Sequence, residues 1–173
     1  MKKHVSLTFL LIVSIVCSIP LAALSGENPP PYQVEVKSRE VTNRIVESYV
    51  RGHKVLADQP KNFGADDLAP TPPEYLAVAY STCVVSTLRF VAMLDKLDIK
   101  NIEVQVEGEV DFSKAMGLDT TKRAGLFGLN VKISFESTMT KSEQQAFVDK
   151  AMERGAVLDN VRNKTQVLYE IIN

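Results

Sequence analysis

Cys83 is the side chain best suited to nucleophilic chemistry in this sequence, since a cysteine thiolate attacks electrophilic centres directly. It lies in a stretch of small and apolar residues that predicts a helix. A single cysteine in an apolar helix equally suits a small core side chain without reactivity. The residues around Cys83 therefore leave both a reactive thiol and an inert buried thiol open.

Glu74 and Arg51 are the charged residues that could act with this thiol. Glu74 closes the capping box Thr71–Glu74, which has proline in the first turn, so it also suits a purely structural role. Along one straight helix its Cα lies about 13 Å from that of Cys83, on the opposite side. Glu74 would then act through a bridging arginine, or on Cys83 of a second subunit. Arg51 lies in a predicted hairpin turn and equally suits an exposed charge.

The composition argues against several other kinds of site. His4 lies in the apolar N-terminal segment, which is interpreted below as a cleaved signal peptide, so His53 would be the one histidine of the mature chain. Neither a multi-histidine metal site nor a Cys-Cys-His zinc site could then form. No G-x-S-x-G, Walker or dinucleotide-binding motif is present, and we predict no cofactor. The 20 basic and 21 acidic residues give a net charge of −1, which argues against nucleic acid as a partner.

The first 25 residues have the pattern of a secretory signal peptide. Lys2 and Lys3 precede an apolar run that Pro20 interrupts, and the small residues before residue 26 suit cleavage. We predict a signal peptide over residues 1–25, a flexible leader over 26–31 and one folded domain over 32–173. The protein would then be periplasmic or secreted, without membrane attachment after cleavage.

Two alternatives stay open for this segment. Residues 5–24 approach the roughly 20 residues of a membrane span, so the segment could persist as an anchor. Cys17 could carry a lipid, although Val16 places a branched residue where a small one is expected. If the segment is removed, Cys17 leaves with it, and Cys83 then has no partner for an intrachain disulfide.

Hydrophobic periodicity and capping signals predict the elements that position these residues. The predicted order is three short strands before residue 58, a loop over 58–73, a helix over 75–94, strands over 102–112 and 129–136, a helix opening at Thr140, a short helical segment over 157–161 and a closing strand over 166–172. This order is typical of an α+β fold. The helix over 75–94 is apolar on nearly every side, so the rest of the protein or a partner subunit must bury it.

One long segment of the sequence has a specific resemblance. It runs from Arg51-Gly52-His53 through Pro70-Thr71-Pro72-Pro73-Glu74-Tyr75-Leu76 to Cys83, and it resembles the OsmC/Ohr family of thiol-dependent hydroperoxide reductases. The most specific part is the pattern Pro-x-Pro-x-Glu-x-Leu, followed by cysteine nine residues after the glutamate. Further similarity through Val106-Glu107-Gly108 and residues 157–163 extends the resemblance over nearly all of residues 32–173.

Membership of this family implies an OsmC-like fold, in which curved β-sheets wrap around a central buried helix in an intertwined homodimer. It also implies a site at the subunit interface. There Cys83 attacks the peroxide as thiolate, while Glu74 and an arginine hold and activate it. Arg51 is the matching arginine, and Arg44 is its rival because this part of the family pattern varies.

The sequence departs from the family where a second cysteine normally resolves the oxidised thiol. Gly155-Ala156-Val157 stands in place of a Cys-Pro-Val-like triplet. The resemblance therefore predicts a one-cysteine organic hydroperoxide reductase that an external thiol returns to its reduced form. Two other hypotheses stay open: a non-catalytic protein of the cell envelope that binds a small apolar ligand, and a thiol that forms a mixed disulfide with a redox partner.

Overall fold

The computed structural model describes residues 28–42, 44–118, 121 and 123–172. The predicted signal peptide lies outside the described residues. The chain divides into two compact units, residues 1–35 and residues 36–173. In the first unit, the described residues 28–35 are exposed and form no helix or strand. The domain boundary expected near residue 32 stays a prediction.

The second unit mixes helices and strands along the chain. Its described elements are β1 Lys37–Thr42, β2 Ile45–Val50, β3 His53–Ala57, a 3-10 turn Lys61–Phe63, α1 Pro72–Leu94, β4 Lys100–Val110, β5 Leu126–Glu136, α2 Lys141–Met152 and α3 Ala156–Arg162. Strands β1, β2 and β3 form one antiparallel sheet in that order, and β4 pairs with β5 in a second. The predicted α+β class is confirmed, and so is the predicted order of elements up to α3.

Antiparallel pairing determines which ends of the first sheet lie together. Val46 pairs with Ala57 at one end, and Val50 pairs with His53 at the other, across the predicted hairpin turn. Arg51 occupies that turn with a positive φ of 54°. All six residues of β1 are exposed, so this strand adds nothing to the buried core.

Helix α1 begins where the sequence predicts it. The Thr71 hydroxyl accepts a hydrogen bond from the Glu74 amide, and the Glu74 carboxylate accepts one from the Thr71 amide at 2.7 Å. Pro72 takes the first helical position, where its missing N–H removes no helical hydrogen bond. By length and hydropathy α1 could cross a membrane, but the core helices of soluble proteins share both properties.

The hydrophobic core forms where α1 packs against β4, α2 and α3. Phe147 of α2 adds an edge-to-face ring contact with Phe135 of β5, at a centroid distance of 5.7 Å. The buried cluster consists of Val84, Leu88, Val91, Ala92, Ile99, Phe147, Ala151 and Leu158. The chain thus buries one side of α1 with its own residues.

The rest of α1 is not covered in this way. Leu76, Val78, Phe90 and Leu94 are between 43% and 47% exposed. The sequence predicted burial of the whole helix by the rest of the protein or by a partner subunit. Its own chain supplies only part of that burial.

The closing strand predicted over residues 166–172 is not formed, which corrects the prediction. A strand needs a neighbouring strand to bond its backbone N–H and C=O groups. Residues 164–172 pair with none of the described strands and are exposed. Their apolar side chains are between 76% and 94% exposed: Val167, Leu168, Tyr169, Ile171 and Ile172. The segment has the apolar and β-branched residues of a strand, but the described part of the chain offers it no strand to pair with.

Candidate functional site

Cys83 lies three turns into α1, on the border of the core. Its side chain is half-buried, and its sulfur lies 3.9 Å from the Thr87 hydroxyl, one turn further along the helix. Within the described part of the chain, no charged side chain forms a hydrogen bond with this thiol. Cys83 is thus neither sealed in hydrocarbon nor fully exposed, a setting in which a thiol can react with small molecules.

Gly155 lies directly against this sulfur, at the start of α3. A Cβ atom added at Gly155 would lie 3.2 Å from the Cys83 sulfur, and 2.6 Å from the Cγ and Cδ1 atoms of Leu158. This is the position where the family resemblance places a resolving cysteine. Leu158, which is fully buried, now fills the space that such a side chain would need.

Glu74 lies instead on the wall of a cavity of about 470 Å³. Its carboxylate accepts hydrogen bonds from the amide and the hydroxyl of Thr71, at 2.7 Å and 2.9 Å. The lining is mostly apolar and comes from the loop after β3, the start of α1 and the β4–β5 pair: Pro60, Phe63, Thr71, Pro73, Glu74, Ala77, Val106, Glu107, Gly108, Val110, Phe112 and Leu126. Cys83 is not among these lining residues.

The chain therefore does not bring Glu74 and Cys83 into one site by itself. Both lie on the straight helix α1, nine residues apart, which turns their side chains to opposite sides. The distance of about 13 Å expected from the helical rise leaves no direct contact. The two routes expected from the sequence, a bridging arginine or the Cys83 of a second subunit, stay predictions.

The two candidate arginines lie at opposite ends of the first sheet. Arg51 is exposed in the β2–β3 turn. Arg44 precedes β2 at the other end, roughly 20 Å away along the strand, and its guanidinium donates a hydrogen bond to the Phe63 carbonyl. Phe63 lines the cavity beside Glu74. Within one subunit the structure brings Arg44, and not Arg51, towards that cavity.

Sequence reasoning gave no role to Asp58, a carboxylate that the structure buries beside the same cavity. The loop over residues 58–73 is long and rich in proline, and a long loop needs hydrogen bonds or packing contacts to hold its shape. A metal is not suggested in the described part of the chain, since it contains no group of three His, Cys, Asp or Glu residues placed to bind one.

Known proteins share the sequence pattern and the fold of this chain. The profile of the OsmC family, described as OsmC-like protein, matches residues 64–170, which is more than half of the chain. The chain belongs to the OsmC-like protein family. The resemblance inferred from the Glu74 and Cys83 region is confirmed. No curated protein sequence matches the chain.

Solved structures of OsmC-like proteins share the fold of this one. An OsmC-like protein from Mycoplasma pneumoniae has a TM-score of 0.67 and 15% identity, over 77% of this chain and 89% of that chain. An organic hydroperoxide resistance protein OsmC from Legionella pneumophila has a TM-score of 0.57 and 24% identity, over 78% and 92%. An organic hydroperoxide resistance protein from Elizabethkingia anophelis has a TM-score of 0.57 and 18% identity, over 78% and 91%. At these identities the likeness shows the OsmC-like fold.

Proposed function

We propose that this OsmC-like protein is a one-cysteine organic hydroperoxide reductase in which Cys83 is the reacting residue. The observation that carries the proposal is the half-buried Cys83 residue, a free cysteine that packs at the border of the core. Family membership adds support, since two of the structural relatives are named as organic hydroperoxide resistance proteins. Gly155 beside the sulfur explains why a single cysteine must suffice.

The proposed reaction needs an external thiol to balance. The Cys83 thiolate attacks the outer peroxide oxygen, the O–O bond breaks, and the alkoxide leaves and takes up a proton as the alcohol. Cys83 is then a sulfenic acid. One external thiol attacks it, which releases water and leaves a mixed disulfide. A second external thiol attacks that disulfide, so that Cys83 is reduced again and the two external sulfurs are joined.

A homodimer belongs to this proposal, because Glu74 and Cys83 point to opposite sides of α1. Residues seven apart on a helix lie two turns apart on nearly the same side, so exposed Leu76 and Phe90 share a stripe with Cys83. A partner subunit packed on this stripe would cover apolar surface and bring its own Glu74 and arginine towards the thiol. The exposed β1 and the exposed apolar segment 167–172 offer further surface for such a partner.

The pattern of residues 1–25 supports a place for this reaction outside the cytoplasm, in the periplasm or as a secreted protein. The external thiol would then have to be present in that compartment.

Hydroperoxide consumption by the purified protein tests the proposal. We expect the parent protein to consume cumene hydroperoxide in the presence of a small thiol. The rate should be at least 100-fold lower in Cys83→Ser, which removes the nucleophile. Ser81→Ala is the control on the same helix, since the Ser81 hydroxyl donates its hydrogen bond to the Val78 carbonyl. Equal rates for the parent protein and Cys83→Ser would contradict the proposal. Intact mass after peroxide treatment identifies the oxidised sulfur.

One observation favours a second candidate function, the binding of a small apolar ligand without catalysis. The cavity beside Glu74 is mostly apolar, and Cys83 is absent from its lining. Alkylation separates the two functions. A Cys83 thiol that resists iodoacetamide at neutral pH, and that forms no sulfenic acid with peroxide, would favour the binding protein.

A further inference from the structure

Asp58 is a buried carboxylate that the proposed reaction does not use. It is 1% exposed, and its recorded hydrogen-bond donors are backbone amides. One oxygen accepts from the Gln59 amide at 2.7 Å, and the other accepts from the Leu68 amide at 2.9 Å. The Leu68 bond is the main cause that lowers the pKa of Asp58, and bonds from Gln59, Asp66 and Asp67 lower it further. The side chain is therefore charged at neutral pH.

The bonds to the carboxylate close the loop after β3 on itself, and the Asp58 backbone amide fastens the loop near the start of α1. Asp58 stands at the end of β3, and Leu68 is ten residues further along the chain. The Asp58 amide also donates to the Pro70 carbonyl at 3.3 Å, one residue before the helix cap Thr71. Asp58 thus joins the end of a strand, the middle of the loop and the start of α1.

Both segments that Asp58 joins are walls of the cavity. Pro60 and Phe63 line it from the loop, whereas Thr71 and Glu74 line it from the start of α1. Asp58 itself is not among the lining residues. A buried carboxylate is stable only while its donors stay in place, because an unsatisfied buried charge costs several kcal/mol. The carboxylate therefore fixes the loop that carries Pro60 and Phe63, and the Asp58 backbone amide ties this loop to the segment just before Thr71.

We propose that Asp58 is a positioning residue for this site, whose carboxylate holds the loop that carries the Phe63 wall in its place opposite Glu74. The affinity of the cavity for an apolar molecule then depends on Asp58. The inference rests on the proposed function only for the nature of the natural occupant. It needs no reaction at Cys83, so it can be tested whether or not the thiol is active.

Asp58→Asn tests this role with little change in shape. Asparagine replaces one accepting oxygen with an NH2 group, which cannot accept a hydrogen bond from a backbone amide. Asp66→Asn is the matched control, because Asp66 lies in the same loop with an exposed side chain and loses the same charge. The probe is the neutral apolar dye N-phenyl-1-naphthylamine. Ala77→Phe fills the cavity and shows whether the dye binds there.

We expect Asp58→Asn to weaken dye binding at least tenfold, and Asp66→Asn to change it less than twofold. The rate of Cys83 alkylation should stay the same in both variants, which a general loss of structure would not allow. Equal dye affinity in the two variants would overturn the inference. Absent peroxide turnover in the parent protein would remove the proposed reaction and leave this result unaffected.

Amide hydrogen exchange gives a readout that needs no ligand. Asp58 lies outside the hydrophobic core cluster, so the core amides should keep their protection in Asp58→Asn. We expect faster exchange at the Glu74 and Leu68 amides in this variant than in Asp66→Asn. Unchanged exchange at these amides would contradict the inference. If Asp58→Asn does not fold, Asp58→Glu, which keeps the charge but displaces it by one methylene, is measured in the same way.

Discussion

The reactivity of a cysteine depends on the few atoms around its sulfur. In α1, Thr82 donates its hydroxyl to the Val78 carbonyl, as threonines in helices commonly do. Thr87 differs, since its recorded contact is the Cys83 sulfur at 3.9 Å. A hydroxyl in this place can donate a hydrogen bond to the thiolate and stabilise the form that reacts.

Thr87→Val should therefore slow the alkylation of Cys83 by iodoacetamide at neutral pH. A hydrogen bond contributes on the order of 1 kcal/mol to stability, which corresponds to a change in rate of at least roughly fivefold. Thr87→Ser keeps the hydroxyl and should stay close to the parent rate. A rate in Thr87→Val equal to that of Thr87→Ser would show that the hydroxyl does not act on the sulfur.

The two arginines can be separated in the same way. Arg44 bonds to the Phe63 carbonyl, whereas Arg51 lies in the exposed turn at the other end of β2. We expect Arg44→Ala to lower the rate of cumene hydroperoxide consumption at least tenfold, and Arg51→Ala to lower it less than twofold. The opposite order would mean that the β2–β3 turn of a partner subunit reaches the thiol.

At the scale of elements, the local signals of the sequence predicted most of the structure. The capping boxes at Thr71 and Thr140 are complete within four residues, so they located both long helices correctly. The alternation in β4 and β5 is likewise local. The tail over residues 166–172 is rich in apolar and β-branched residues and still forms no strand, because a strand also depends on a distant neighbour. Sequence spacing cannot supply that neighbour.

The candidate site shows the same division between local and distant information. Glu74 was assigned correctly to the capping box, and the spacing along α1 already separated it from Cys83. The choice between Arg44 and Arg51 could not be made from sequence, because it depends on which end of the first sheet meets the loop. The burial of Asp58 depends on amides up to ten residues away, which no local pattern reveals.

Charge holds the middle of the first sheet together. The Glu47 carboxylate accepts hydrogen bonds from Arg39 and Tyr49, each at 3.0 Å, and forms an ion pair with Lys54. The bonds from Lys54 and then Arg39 are the main causes that lower the pKa of Glu47 from 4.5 to about 2. The ionised form of Glu47 is thus the one that the folded sheet favours.

The stability of the sheet should consequently depend on acid. Because the folded pKa of Glu47 is the lower one, its contribution is complete above pH 4.5 and is lost as the pH falls towards 2. Thermal unfolding followed from pH 7 to pH 2 should show a smaller loss of Tm in Glu47→Gln than in the parent protein over this interval. If Tm falls equally with pH in the two proteins, Glu47 does not cause the loss of stability in acid.

At the scale of the whole molecule, the exposed apolar surface is the feature that one chain leaves unexplained. Leu76 and Phe90 flank Cys83 on the same side of α1, and both are more than 40% exposed. Contiguous apolar surface of this kind marks contact sites between proteins. A second copy of the chain would cover it and complete the site at the same time.

Phe90→Glu should therefore shift the protein from dimer to monomer in analytical ultracentrifugation, because a carboxylate would be buried against apolar surface. Ser134→Glu, on the exposed polar side of β5, is the control and should leave the mass unchanged. For a dimer, the parent Tm should also rise with protein concentration, whereas a monomer shows no such dependence. A parent protein that sediments as a monomer at every concentration would contradict the dimer.

The close packing of Gly155 on the Cys83 sulfur also limits how this protein can evolve. Some glycine codons become cysteine codons by one base change, and that mutation would set a second sulfur beside the first. Its Cβ atom would meet Leu158 at 2.6 Å, so a smaller residue at position 158 would have to arise first or together with it. A second cysteine beside Cys83 would thus call for changes at two positions, and the order in which they occur is constrained.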